Sequence, residues 1–183
     1  DSAIKDLEKV IYIEPQNSEA LFKLGMTKFE KKDYQGAIEI LEECIRFYPN
    51  EMPPVYGFAG QIYLLLEKYE EALKEFNNAI EIDSGFTNAI FNRALIRDKL
   101  GDFDGAINDY SKVIELDPKD INAYFNRALL KANNNNPQGA ITDYSKVIEL
   151  DSKAKEALLL RGTAKYKIKD LNLHVSTIHG TKK

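Results

Sequence analysis

Few side chains in this sequence can do covalent or metal chemistry. It holds two histidines, His174 and His179, one cysteine, Cys44, and 29 carboxylates. The histidines lie five residues apart. They do not share a helical face as an i,i+4 pair would, and no cysteine lies near to complete a zinc set. Cys44 has no second cysteine for a disulfide, and it falls in an apolar helical pattern where a thiol packs rather than reacts. Gly57-Phe58-Ala59-Gly60 lies inside a predicted helix and lacks the Gly-Lys-Ser/Thr ending of a phosphate loop. No serine has a nucleophile-elbow context. The carboxylates are expected on solvent-facing positions. No catalytic residue, no metal site and no cofactor is therefore expected, and the chain does not read as an enzyme.

What remains is the chemistry of recognition. Asn88 and Asn92 form one pair of carboxamides at helical spacing, and Asn122 and Asn126 form another. A carboxamide accepts from N–H and donates to C=O, so such pairs suit the backbone of an extended peptide. They also suit a plainer origin, two repeats that share residues by descent. Arg93, Arg127 and Arg161 recur at one spacing, followed four residues later by Arg97, Lys131 and Lys165. This is either a basic stripe for an acidic partner or, with the recurring Asp109 and Asp143, a ladder of ion pairs between helices.

The elements that must position these side chains follow from a period. Residues 87–120 and 121–154 align without a gap and match at 20 of 34 positions. The register extends backwards to 53–86 and to 18–52, where Met52 is one extra residue. Residues 1–17 read as the second half of an earlier unit and 155–171 as the first half of a later one. Residues 172–183 lack the expected small and aromatic positions and are predicted to be an irregular tail. Each unit reads as two helices. In 87–120, Ile90, Ala94, Leu95 and Leu100 make the first apolar stripe. Gly101 breaks it, Asp102 is a predicted N-cap, and Phe103, Ala106, Ile107, Tyr110 and Val113 make the second stripe. Asp117-Pro118 ends it. Asn133-Asn134-Asn135-Asn136-Pro137 replaces the usual turn, predicting an early end to one helix and a looser crossing. Such hairpins bury their faces only by stacking, so the fold class is an all-α solenoid.

A 34-residue helix–turn–helix of this kind resembles the tetratricopeptide repeat (TPR) over residues 1–171. The recurring small residues are Gly25, Gly60, Ala94, Ala128 and Gly162 in the first helix, and Ala37, Ala72, Ala106 and Ala140 in the second. Tyr34, Tyr69 and Phe103 open the second helix. Leu41, Phe76, Tyr110 and Tyr144 follow the small residue, and Pro15, Pro49 and Pro118 close the unit, with Ser84 and Ser152 departing. The resemblance implies a right-handed solenoid whose first helices line a concave groove. Its groove residues are then Phe22, Lys23, Met26 and Phe29, then Phe58, Gln61, Leu64 and Leu65, then Asn88, Phe91, Asn92 and Leu95, and finally Asn122, Phe125, Asn126 and Leu129. That groove is unusually apolar, which marks an interaction surface. A chaperone-tail carboxylate clamp, also known on this fold, does not match: Phe22, Met26, Phe58, Asn88 and Asn92 stand where its residues are required.

Composition agrees with a binding module. Net charge is −4 over 183 residues, so no overall basic field attracts nucleic acid. Residues 1–86 carry 9 Lys+Arg and 17 Asp+Glu, or −8, while 87–183 carry 16 and 12, or +4. No apolar run reaches the roughly 20 residues of a membrane span. A single cysteine fits a reducing, cytoplasmic compartment. The half-units at both ends predict a fragment of a longer array, so the missing signal-peptide pattern carries no weight. The expected partner is a protein or peptide, with neither nucleic acid nor membrane. The alternatives are a homo-oligomer built through exposed repeat ends, and a regulatory arm of a larger enzyme. The close helix crossing gives the first test: Ala106→Leu should overpack it and lower stability by about 1–3 kcal/mol, and a thermal melt superimposable on wild type would contradict the register.

Overall fold

The computed structural model describes the backbone of residues 2–180 and the side chains of residues 2–169. Among them are ten helices and no strand: α1 Ser2–Ile13, α2 Ser18–Glu30, α3 Tyr34–Phe47, α4 Pro53–Leu65, α5 Tyr69–Ile82, α6 Thr87–Lys99, α7 Phe103–Leu116, α8 Ile121–Asn133, α9 Pro137–Leu150 and α10 Lys155–Gly180. The protein is an all-α solenoid of helix hairpins. Two compact units, Asp1–Ile96 and Arg97–Lys183, are taken in turn.

The local sequence sets the helix ends. Helices α2, α3, α7, α8 and α9 start behind an Asn or Asp whose side chain accepts a backbone N–H of the first turn: Asn17, Asp33, Asp102, Asp120 and Asn136. Pro53 and Pro137 begin α4 and α9, where a missing N–H is no loss. Between the two helices of each hairpin the chain passes one residue in the left-handed region: Lys32 (φ 64°), Glu67 (φ 58°), Gly101 (φ 82°) and Asn135 (φ 54°). The asparagine run is thus a standard turn. Asn133 is the last residue of α8, Asn134 caps it, Asn135 takes the left-handed conformation and Asn136 caps α9. Asparagine tolerates each of these places. Helix α8 therefore does not end early, as expected from sequence; it has the 13 residues of α2, α4 and α6. The crossing is not loose either, since Ala128, Ala140 and Tyr144 are at most 1% exposed.

The exits follow a similar rule. Asp83, Asp117 and Asp151 each accept the backbone N–H two residues on, from Gly85, Lys119 and Lys153, at 2.8–2.9 Å. This turn closes the hairpin whether Pro118, Ser84 or Ser152 follows the aspartate. The C-terminal segment also differs from expectation. Residues 172–183 were predicted to be irregular, but α10 continues to Gly180. The reason is that the lost small and aromatic positions report hairpin packing, not helix propensity, and no Pro or Gly interrupts 163–179.

In the first unit, one core cluster joins Leu21 of α2, Ala37, Ile38, Leu41 and Cys44 of α3, and Val55, Ala59 and Ile62 of α4. A second joins Tyr56 of α4, Ala72, Phe76 and Ala79 of α5, and Ala89 and Ile96 of α6. Each cluster takes a hairpin plus the next first helix, so no hairpin closes its own core. A methyl group on Gly25 would sit 2.9 Å from Leu41 Cδ2, and one on Gly60 would sit 2.8 Å from Phe76 Cε1. The small residue is what lets the two helices approach. Cys44 is fully buried, with Sγ 3.9 Å from the Ser18 carbonyl and from Met52 Sδ. Burial pushes its thiol pKa up, which suits packing rather than reaction. The extra residue Met52 is absorbed by packing against this cluster.

In the second unit, the corresponding cluster joins Ala128 of α8, Ala140, Tyr144 and Val147 of α9, and Ala157 of α10. The expectation that carboxylates face solvent fails at Asp109 and Asp143, each 2% exposed, and at Glu75 in the first unit, 8% exposed. Asp143 accepts from Arg127 Nε and Nη2 at 2.9 and 2.7 Å and from Lys131 Nζ at 2.8 Å. Arg127 also donates from Nη1 to Ser111 Oγ of the preceding hairpin at 2.9 Å. The same reach joins Arg161 to Ser145 and, in the first unit, Arg93 to Asn77. The arginine series is therefore a clasp between successive hairpins. Removing its buried acceptor strands two cations, so Asp143→Ala should cost about 3–5 kcal/mol. Lys112→Ala, which breaks only the exposed pair with Glu115 at 3.2 Å, should cost under about 1 kcal/mol. Chemical denaturation of both variants checks this, and equal midpoints would contradict it.

Candidate functional site

The candidate site is the half-covered face of the first helices, set by the same periodicity that makes the core. One stripe of each helix faces its hairpin partner, and the adjoining stripe is left half-covered. In the first unit, α2 offers Phe22, Met26 and Phe29, and α4 offers Phe58. The Phe58 ring stands edge-on to Phe22 at 6.0 Å and to Phe29 at 5.1 Å, and Phe29 lies 5.5 Å from Tyr34. These rings are half-buried, with one side spent on the α2–α4 core. Met26 is 38% exposed and Leu65 54% exposed. Lys23 is held by Glu19 at 2.6 Å, an exposed pair one helical turn apart.

The amides of the first unit form a short relay. Gln61 Nε2 donates to Asn88 Oδ1 at 2.7 Å. Asn92 Nδ2 donates to Asn88 Oδ1 at 3.1 Å and to the Asn88 carbonyl at 2.9 Å. Asn92 thus spends its amide donors inside the protein, while Asn88, which is exposed, is an acceptor in both bonds and has its own NH2 left to donate. Phe91 and Leu95 on the same helix are half-buried.

In the second unit, Asn122 is exposed and makes no side-chain hydrogen bond among the described residues. Asn126 is half-buried and donates from Nδ2 to the Tyr110 hydroxyl at 3.3 Å, tying α8 back to α7. Phe125 presents its ring to Tyr144 at 5.9 Å, and Phe125 and Leu129 both pack on the α8–α10 cluster. Burial raises the pKa of both phenols, that of Tyr144 to about 12 with a smaller push from Glu156. The tyrosines were legible in sequence only as packing residues. Their hydroxyls are polar groups in the core, and whether the next repeat supplies a partner, as Asn126 does for Tyr110, no local pattern announces.

The sequence-derived residues therefore fall into three groups. Met26, Lys23, Asn88 and Asn122 are open to solvent. Phe22, Phe29, Phe91, Leu95, Phe125 and Leu129 each show one side. Asn92 and Asn126 are engaged by protein atoms. The side chains of His174 and His179 lie outside the described residues. Among the described residues no group of three or more His, Cys, Asp or Glu is placed to hold a metal ion. The arrangement offers apolar contact and single amide hydrogen bonds, and no nucleophile beside a base.

Comparison with known proteins agrees with this geometry. The TPR repeat family matches residues 96–135, the tetratricopeptide repeat family matches 121–153, and the family of anaphase-promoting complex, cyclosome, subunit 3 matches 1–79. The chain is similar to anaphase-promoting complex subunit 3 of Dictyostelium discoideum, 37% identical over 94 residues, 51% of this chain and 9% of that protein. It is similar to the Hsp70-Hsp90 organizing protein of Triticum aestivum, 27% identical over 104 residues, 57% of this chain and 18% of that one. The chain thus spans less than a fifth of these curated relatives. Among solved structures it resembles MamA, with a TM-score of 0.77 and 25% identity, over 84% of this chain and 89% of the other. Period, hairpin geometry and these matches together make the chain a tetratricopeptide-repeat protein.

Proposed function

We propose that the protein is an interaction scaffold whose first helices hold a peptide or helical segment of a partner protein. The observation that carries this reading is the recurrence of half-covered apolar side chains at two equivalent places on α2, α6 and α8, Phe22, Phe91 and Phe125 at one and Met26, Leu95 and Leu129 at the other, while α4 offers Phe58 and Leu64 at neighbouring places. Core formation alone does not require Met26 to stand 38% exposed beside a cluster of half-buried rings. Such surface gains most when another apolar group covers it, at roughly 25 cal/mol per Å² removed from water. The amides of Asn88 and Asn122 add directional bonds to a backbone that carries donors and acceptors alike.

The names of the relatives support the class of function. One is named as a subunit of the anaphase-promoting complex and the other as an organizing protein of Hsp70 and Hsp90. The residues of this chain do not support borrowing the second activity outright. Phe22 and Met26 are apolar where a clamp for a terminal carboxylate needs Lys and Asn, and no buried cation stands beside them. The better fit is a segment read through apolar anchors.

Display selection of peptides on the wild-type chain, followed by affinity measurement on Met26→Arg and Asn122→Arg, tests the proposal. Both positions are exposed, so the variants should melt with wild type. Selected peptides should bind at least one of the two about tenfold more weakly. Peptides indifferent to both changes would place recognition elsewhere. If none is selected and the scattering mass of the wild type rises with concentration, self-association replaces the scaffold reading.

A further inference from the structure

Each second helix fills the notch beside the small residue of its hairpin with one large side chain: Leu41, Phe76, Tyr110 or Tyr144. In the clusters of Leu41 and Tyr144 the sixth residue of the following first helix, Phe58 or Leu160, packs on the same core, and Asn126 at that place meets Tyr110. In the second unit this register appears twice. At its first occurrence two polar groups meet, Asn126 Nδ2 donating to the Tyr110 hydroxyl at 3.3 Å. At its second, sixteen residues after Tyr144, the partner is Leu160. The Tyr144 hydroxyl is left with no hydrogen-bond partner among the described residues, on a residue 1% exposed. A buried hydroxyl without a partner is costly, and native proteins rarely leave one.

The surroundings define what would satisfy it. Phe125 lies at 5.9 Å ring to ring, and Leu129 and Leu160 pack on the same cluster. Glu156, on the same helix as Leu160, is near enough for its charge to act on the phenol. An anionic group would be repelled by Glu156. An ammonium would have to shed its water among Phe125, Leu129 and Leu160. A neutral primary carboxamide is not repelled and sheds its water at much lower cost than an ammonium, and it is the group that already satisfies Tyr110. Its N–H bonds can donate to the Tyr144 oxygen.

We propose that the face between α8 and α10 is the part of the binding surface that selects sequence, taking an Asn or Gln side chain of the bound segment against the Tyr144 hydroxyl. This rests on the peptide-binding reading above and narrows it to a ligand class. Leu160, half-buried, is the side chain that turns aside to admit the amide, a motion of the ordinary rotamer kind.

Three fluorescent host peptides of alanine and leucine, acetylated and N-methylamidated so that their ends carry no primary amide, test this with Gln, Met or Glu at the centre. The full chain should bind the Gln peptide about tenfold more tightly than the Met peptide, as a hydrogen bond to an otherwise unsatisfied buried hydroxyl would give, with the Glu peptide weakest. Tyr144→Phe removes the hydroxyl, and Leu160→Asn fills the spot from within as Asn126 does. Both should keep the fold by thermal melt and lose the Gln preference. Equal binding of the Gln and Met peptides, both weakened by Asn122→Arg, would overturn the carboxamide site and leave the groove standing. A Gln preference that survives in Tyr144→Phe would also overturn it. Absence of binding by all three peptides would overturn both readings.

Discussion

The structure depends on a single close approach repeated along the chain. A first-helix residue with little or no side chain lets the second helix lay a large one across it. Gly25 receives Leu41, Gly60 receives Phe76, and Ala128 shares a cluster with Tyr144. Fully burying a side chain of this size gains about 1.5–3 kcal/mol, but only where nothing else occupies the notch. The crossing fixes how far apart the helix axes run. That distance decides which stripe of each first helix sinks into the core and which stays half-covered. The candidate binding surface is thus the residue of a packing solution.

A second layer of control is polar. An apolar stack alone specifies the register of one hairpin on the next poorly, since similar faces slide over one another at little cost. In the second unit Arg127 removes that freedom: Asp143 of its own hairpin holds the guanidinium from one side while Nη1 reaches Ser111 of the preceding hairpin. The first unit uses the same reach and adds a phenol–carboxylate bond. Arg93 reaches Asn77, and Tyr63 donates to Glu42 at 3.0 Å, which with burial pushes its phenol pKa up to about 12. Register matters for recognition because it aligns the half-covered side chains of successive first helices.

The fold was legible because its determinants are local and repeated. The 34-residue period, Asp102 as a cap and Pro53 and Pro137 as helix starts are visible in a few adjacent residues. Where the reading failed, the determinant was conformational or distant. Four successive asparagines with a proline look like a broken turn, yet each occupies a backbone state that asparagine tolerates, a fact about φ and capping rather than polarity. The pairing of Asp109 and Asp143 with the basic series was legible from their recurrence, but their burial was not, because it depends on how cations twelve to sixteen residues away pack over them. The same holds for the site. The resemblance to the repeat family marked Phe22, Phe125 and Asn126 as groove residues. It did not show that Asn126 is tied to Tyr110, or that Tyr144 lacks the equivalent tie, because both facts belong to the meeting of two hairpins.

The central claim is that the first helices, and not the second, carry recognition. Hydrogen–deuterium exchange of the free chain and of its complex with a selected peptide measures this directly. Helices whose side chains are covered should gain protection. The account predicts added protection along α2, α4, α6 and α8, with α3, α5 and α7 unchanged. Protection gained on α3, α5 and α7, with the first helices exchanging as in the free chain, would contradict it.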